Sequence, residues 1–137
     1  MKITADTNVL LRDALHDDPE QWPQAARTLQ QAEIVAIPIV TLCEFVWVLR
    51  QGYKVTALEV AASLKLLLAS HNVATDRPAA EAGLRMLENG GDFADGVLAY
   101  QGEWLGGSEF VSFDRKAVTL LQEQGKRARL LGARRKA

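Results

Sequence analysis

Residues 2–8 read KITADTN, and residues 110–114 read FVSFD. In each stretch a short, partly apolar segment is followed by an aspartate, Asp6 in the first and Asp114 in the second. Both patterns predict a β-strand that leads into a helix, and an aspartate at this junction is a common helix N-cap. One stretch opens the chain and the other lies near its end.

Between these two stretches the sequence alternates predicted strands with predicted helices. Strands are predicted at residues 2–5, 34–37, 73–75, 109–112 and 129–131. Helices are predicted from Thr7 or Asn8 to Leu15, from Asp18, and over residues 41–51, 56–68, 78–88, 92–104 and 115–124. This alternation predicts an α/β fold with a mainly parallel sheet of roughly five strands. Ligands of such sheets bind beyond the carboxyl ends of the strands, where Asp6 and Asp114 are expected.

Composition restricts the class of protein. The 137 residues are 48% hydrophobic, which fits one compact domain, predicted here to cover residues 1–131. The single cysteine, Cys43, cannot form an internal disulfide, and two histidines cannot complete a zinc finger. Asp6 interrupts the segment in which a signal peptide needs an apolar core, and the run at residues 34–49 is too short to span a bilayer. We therefore expect a cytoplasmic protein without a membrane partner.

Charge is distributed unevenly along the chain. The net charge is −1, but residues 126–137 hold six of the 16 lysines and arginines and no acid. The remaining residues carry ten bases against 17 acids, a net charge of −7. A basic C-terminal tail, residues 132–137, on an acidic body predicts an anionic partner for the tail.

Glu44 is the only charged residue among the sixteen positions from 34 to 49. Its neighbours in the predicted helix are apolar, so we expect a buried carboxylate. Burial without a partner costs several kcal/mol, so such a group must be protonated, paired or bound to a cation. A partly exposed acid, or one paired with Arg12 or Arg50, is the open alternative.

Asp92 and Asp95 are spaced to share one helix face near its first turn. The helix dipole favours an acid in the first turn, so Asp92 and Asp95 need no function to explain them. Helix capping is likewise a sufficient explanation for Asp6 and for Asp114 when each is taken alone. If these acids and Glu44 converge, repulsion of ~4 kcal/mol per carboxylate pair would rival the stability of the whole domain. Such a cluster requires protonation or cations, and oxygen ligands without Cys or His suit Mg²⁺ or Mn²⁺.

These acids lie in four motifs that together resemble the PIN-domain family of metal-dependent ribonucleases, and within it the VapC-type toxins of bacterial toxin–antitoxin pairs. The motifs are DTNVLLR at residues 6–12, TLCEF at 41–45, DFADGVLA at 92–99 and FVSFD at 110–114. The resemblance extends from Met1 to about Leu131. Ser112 stands in place of the usual threonine, and Gly96 and Gly102 stand where larger residues are more frequent. We therefore expect the helix of the third motif to be looser than in relatives.

The resemblance implies a three-layer α/β/α fold and an endoribonuclease that hydrolyses RNA phosphodiester bonds with Mg²⁺ or Mn²⁺. It implies that the catalytic residues and metal ligands are Asp6, Glu44, Asp95 and Asp114. Residues expected to orient them are Thr7, Asn8, Ser112 and Asp92. Expected RNA contacts are Arg12 and, from the charge of the tail, Arg134, Arg135 and Lys136.

The resemblance also implies an antitoxin partner and a homodimer. The apolar residues between Trp22 and Leu68 exceed what one helix face needs, so they fill either the protein's own core or a contact with such a partner. The apolar residues concerned are Trp22, Phe45, Val46, Trp47, Val48, Leu49, Leu64, Leu66, Leu67 and Leu68.

Other functions must be weighed against this interpretation. A phosphatase of the haloacid dehalogenase type needs a second aspartate where Asn8 stands, and a response-regulator receiver needs paired acids after the first strand. Two alternatives stay open. One is a PIN nuclease that processes RNA without being a toxin, and the other is a non-catalytic binding module whose acids only cap helices.

Overall fold

A computed structural model of the protein describes residues 1–132. The described chain forms two compact units, Met1–Ala80 and a second that begins at Glu81. The first unit contains β1 (Lys2–Thr4), α1 (Thr7–Leu15), α2 (Gln21–Gln31), β2 (Ile34–Ala36), α3 (Ile39–Trp47), α4 (Ala57–Ala69) and β3 (Val73–Ala74). The boundary falls within α5 (Arg77–Glu88), and the second unit continues with α6 (Phe93–Trp104), β4 (Phe110–Ser112), α7 (Arg115–Glu123) and β5 (Ala128–Leu130).

The first unit is built on a parallel sheet with the strand order β1-β2-β3. Ile3 of β1 pairs with Val35 of β2, and Val35 pairs in turn with Val73 of β3. Val35 is almost fully buried, as expected for the central strand of a parallel sheet. The sheet places Asp6 directly after β1, at the carboxyl end of that strand.

Helix α3 begins earlier and ends differently than the sequence predicts. It starts at Ile39, directly after Pro38, and gives way to a π-helical turn over Val48–Gly52. The π turn is closed by the Tyr53 N–H, which donates to the Val48 carbonyl at 3.2 Å. A turn of this kind is frequent at functional sites, and here it directly follows the helix that carries Glu44.

Predicted caps account well for the starts of helices. Thr56 and Glu59 form the predicted capping box of α4, each side chain bonding the backbone N–H of the other residue. Asp76 caps α5, because its Oδ1 accepts a hydrogen bond from the Ala79 N–H at 3.2 Å. The helix expected from Asp18 starts later, at Gln21, because Asp18 Oδ1 accepts from both the Glu20 and Gln21 N–H groups in a preceding turn.

The second unit contains a parallel pair, β4 and β5, in which Val111 lies opposite Arg129. Helix α7 packs on both strands. The core of this unit is centred on five buried residues, Met86, Ala117, Val118, Leu121 and Ala128. The pairing of β4 with β5 places Asp114 just beyond the carboxyl end of β4.

The predicted fold class, an α/β fold with five parallel strands, is confirmed in residues 1–132. The strands form a group of three and a group of two rather than one hydrogen-bonded sheet. The extent of a single domain over residues 1–131 stays a prediction. Residues 133–137, which hold Arg134, Arg135 and Lys136, lie outside the described residues. No helix of residues 1–132 combines the length and apolar character needed to cross a membrane.

Candidate active site

Asp6 is exposed and caps helix α1 in the first unit. Its Oδ1 accepts a hydrogen bond from the Asn8 backbone N–H at 3.4 Å. The preceding residue, Ala5, is buried and donates its N–H to the Ala36 carbonyl at 3.0 Å, which fixes the backbone before the carboxylate. The capping interpretation is therefore correct, but it occupies one carboxylate oxygen and leaves Oδ2 available to a ligand.

Glu44 is exposed, which corrects the expectation of a buried carboxylate. Helix α3 turns Leu42 and Phe45 into the core and leaves Glu44 on the opposite side with Trp47, which is 63% exposed. The apolar neighbours in the sequence therefore do not bury the acid. Glu44 Oε1 accepts a hydrogen bond of 2.7 Å from the Thr7 hydroxyl, and neither predicted arginine is its partner.

Thr7 therefore connects the first two motifs. It is the first residue of α1 and follows Asp6 directly, while its hydroxyl holds the Glu44 carboxylate. The role expected of Thr7, to orient a metal-binding acid, stays a prediction. The Asn8 backbone N–H holds the Asp6 carboxylate in the same way, and the Asn8 side chain borders an open groove of about 310 Å³ beside α2.

Arg12 is engaged within the protein. Its Nη1 lies 3.2 Å from Asp17 Oδ1, and its Nη2 donates to the Tyr53 hydroxyl at 3.2 Å. The hydrogen bond to Tyr53, and then the negative charge of Asp17, raise the pKa of Arg12 above its usual value. The terminal nitrogens thus hold α1 to the segment after the π turn, and an RNA contact by Arg12 stays a prediction.

Asp114 is exposed and caps α7 in the second unit. Its Oδ1 accepts from the Ala117 N–H at 3.2 Å, and its own N–H donates to the Ser112 hydroxyl oxygen at 2.9 Å. Ser112 is also fixed through its carbonyl, which accepts from the Leu131 N–H at 2.7 Å. The serine therefore holds the turn that carries Asp114, and its role at a metal site stays a prediction.

Asp95 is half-buried in the first turn of α6, close to two other acids. Burial, followed by the negative charges of Asp92 and Asp114, raises the pKa of Asp95 above its usual value. Asp92 occupies the N-cap position, but its side chain makes no capping hydrogen bond, which corrects its predicted role as a side-chain cap. In the second unit, the charges of Asp92 and Asp114 thus act on the Asp95 carboxylate.

Gly96 follows Asp95 and is buried against α5. A methyl group at Gly96 would collide with the Ala82 carbonyl oxygen and come within 2.8 Å of Met86 Cγ. Gly83 faces α6 in the same way, because a methyl group there would lie 2.7 Å from the Phe93 ring. Gly96 is therefore required for the close packing of α6 on α5, and the expectation of a looser helix α6 is wrong at this position.

No group of three or more His, Cys, Asp or Glu side chains suited to hold a metal ion is present among residues 1–132. Of the four predicted ligands, Asp6 and Glu44 belong to the first unit, and Asp95 and Asp114 belong to the second. The four-residue ligand set therefore stays a prediction.

The sequence reasoning missed three residues beside Asp114. Phe113 precedes the acid, and Arg115 and Lys116 follow it; all three are exposed. The signal was present in the sequence as FDRK at residues 113–116, an aromatic residue and two bases that flank a strand-end acid.

Comparison with known proteins agrees with the motifs. No curated protein shows significant similarity to the chain. Residues 3–120, well over half of the chain, match the PIN domain family. Proteins of this family are generally nucleases, and those nucleases typically use divalent metals. The match covers all four motifs, and the chain therefore belongs to the PIN domain family.

Proposed function

We propose that the protein is an endoribonuclease that hydrolyses RNA phosphodiester bonds with Mg²⁺ or Mn²⁺. The observation that carries this proposal is the environment of Asp95, whose pKa is raised by burial and by two neighbouring acids. Such an arrangement is unfavourable in a metal-free protein, whereas a bound cation reverses the effect of the carboxylate charges. Membership of a family of nucleases supports the same conclusion.

The donor chemistry fits a hard divalent ion. The four acids offer only oxygen, three of them are exposed, and the caps leave a free oxygen on Asp6 and on Asp114. Residues proposed to hold the ion are Asp6, Glu44, Asp95 and Asp114. When bound, the ion would activate a water molecule and neutralise charge on the phosphate.

The remaining contribution of the chain is to position these carboxylates. Thr7 holds one oxygen of Glu44, the Asn8 N–H holds one oxygen of Asp6, and Ser112 fixes the backbone of Asp114. Each contact restricts the orientation of a carboxylate before substrate binds. Partners of this kind typically change metal affinity or activity by about 10-fold to 100-fold when they are removed.

The test is cleavage of a labelled single-stranded RNA with Mg²⁺, with Mn²⁺ and with EDTA. We expect cleavage only with the metals and a loss of at least about 100-fold in Asp114→Asn. Asparagine caps a helix about as well as aspartate, so this variant keeps its fold.

Asp76→Asn is a matched control for that experiment. Asp76 caps α5 with the same 3.2 Å geometry with which Asp114 caps α7. If the acids only cap helices, the two variants behave alike. Wild-type activity in Asp114→Asn, or no metal-dependent cleavage by the wild type, would contradict the proposal.

We further propose that the nuclease is the toxin of a toxin–antitoxin pair and acts on cytoplasmic RNA. The resemblance of the motifs to VapC-type proteins supports this role. Induced expression in bacteria should arrest growth, and co-expression of a small adjacent reading frame should relieve the arrest. Expression of the Asp114→Asn variant should not arrest growth. Metal-dependent cleavage without growth arrest would instead favour an RNA-processing nuclease.

An antitoxin contact and a homodimer are proposed on the same resemblance. Of the ten apolar residues named above for a partner contact, eight are buried or half-buried, but Trp47 and Leu66 are 63% and 74% exposed. These two side chains are therefore the candidates for a partner contact. Light scattering should show a dimer that grows when the antitoxin is added, and a strict monomer without that growth would contradict the proposal.

A further inference from the structure

Phe113 is a large aromatic residue that is 76% exposed beside a proposed metal ligand. One edge of its ring lies beside Gly132, where a side chain would crowd it. A methyl group at Gly132 would lie 3.1 Å from Phe113 Cδ1 and 3.5 Å from Cε1. Gly132 has a φ of 103°, so the absence of a side chain there permits both its backbone conformation and the contact with the ring.

Two cations follow Asp114 in the first turn of α7. Arg115 and Lys116 are exposed, and within the described chain neither forms an ion pair or a side-chain hydrogen bond. The Lys116 ammonium group lies 3.7 Å from the position of a methyl group on Gly90, in the turn that leads to Asp92. Positive charge is thus available close to the acids of the second unit.

We propose that Phe113 is a stacking platform for an unpaired base of single-stranded RNA, with Arg115 and Lys116 binding its phosphates. The inference rests on the proposed nuclease function and adds the residues that bind the substrate, one ring for an unpaired base and two cations for the phosphates. Aromatic side chains combined with a basic surface are the usual means of binding single strands without sequence preference. A duplex does not offer such a base, because its bases are stacked on one another.

The immediate surroundings of the ring favour a nucleotide over a protein partner. Phe113 lies between Ser112 and Asp114 and is followed by two cations, so it is the one apolar residue among residues 112–116. A partner helix would need a contiguous apolar groove, whereas a nucleotide needs one ring for the base and positive charge for the phosphates. The acidic body of the protein makes such local cations necessary for holding a polyanion.

The test is the affinity for a fluorescent single-stranded RNA of about ten nucleotides, measured in EDTA so that binding is separated from cleavage. Phe113→Ala should weaken binding about 5-fold to 150-fold, which corresponds to ~1–3 kcal/mol for one stacked base. Phe113→Trp should restore the affinity, whereas Phe113→Leu, apolar but without a π face, should not. Affinity for duplex RNA of the same sequence should be unchanged in all three variants.

Trp104→Ala is the matched control. Trp104 is also 76% exposed and lies in the same unit, but it stands at the opposite end of α6 from Asp95. Its removal should leave RNA affinity unchanged. Arg115→Ala and Lys116→Ala should each reduce the slope of log affinity against log salt by about 0.7.

Equal affinities of Phe113→Ala and wild type for single-stranded RNA would overturn the proposal, as would an equal loss in Trp104→Ala. Unchanged RNA affinity with reduced self-association would assign the ring to a contact between two copies instead. These outcomes are independent of the nuclease test. Metal-dependent cleavage by the wild type together with unaltered binding by Phe113→Ala would refute the stacking platform alone.

Discussion

Replacing Gly96 with alanine is expected to destabilise the protein, although alanine favours helices. The added methyl group would meet the Ala82 carbonyl and Met86 at a buried contact between α5 and α6. Overpacking of this kind costs ~1–3 kcal/mol, and backbone atoms cannot turn away as a side chain can. Helix propensity returns ~1 kcal/mol, so we expect a net loss of up to ~2 kcal/mol.

Gly102 provides the comparison within the same helix. No atom lies within 4 Å of a methyl group placed there, so Gly102→Ala should raise stability by up to ~1 kcal/mol. The effect of the same chemical change should therefore differ by ~1–3 kcal/mol between two positions of α6. Urea unfolding of both variants in EDTA measures this difference. Because α6 carries Asp95, the RNA cleavage rate should fall in Gly96→Ala only. Equal stabilities of the two variants would refute the packing argument.

The remaining predictions concern the acids. The pKa of Asp95 is raised in the folded protein, so its contribution to stability is present below pH 3.8 and is lost as pH rises through the folded value. Asp95→Asn should therefore raise the free energy of unfolding of the metal-free protein at neutral pH but not below pH 3.8. Urea unfolding of the variant and the wild type at these two pH values measures the effect. Thr7→Val removes the 2.7 Å hydrogen bond to Glu44 and should weaken Mn²⁺ binding about 10-fold in calorimetry. Asp92→Ser should stabilise the metal-free protein and retain most RNA cleavage, and a complete loss of cleavage would place Asp92 among the ligands.

Local signals made much of the fold predictable. The strand-end positions of Asp6 and Asp114, the capping box of Thr56 and the cap at Asp76 all follow from short-range hydrogen bonds. Such bonds join residues two or three positions apart, so a single sequence contains the information that specifies them.

The exposure of Glu44 could not be predicted in the same way. Helix α3 is apolar on both sides, and Val40 and Trp47 remain exposed although they resemble core residues in the sequence. Only the packing of the helix decides which side faces the sheet. The apolar neighbours of Glu44 in the sequence therefore marked it as an unusual residue, but the reason predicted from them, burial of the carboxylate, was wrong.

Two further features depend on contacts between distant segments. Gly96 is explained by Ala82 on another helix, and the Phe113 ring lies beside Gly132 after β5. The approach of Gly96 to Ala82 and that of Phe113 to Gly132 cannot be predicted from the residues next to them in the sequence. The motifs located the candidate site, whereas the structure was needed to show how α6 is packed and which side chains surround Asp114.

The most direct test of the central claim is Mn²⁺ binding measured by calorimetry in one variant from each unit. Glu44→Gln changes an acid of the first unit, Asp95→Asn changes an acid of the second, and Glu123→Gln changes an exposed acid outside the proposed ligand set. If the four acids form one metal centre, each of the first two variants loses at least about 10-fold in affinity, and the control binds as the wild type does. Wild-type Mn²⁺ affinity in either Glu44→Gln or Asp95→Asn would contradict a shared metal centre.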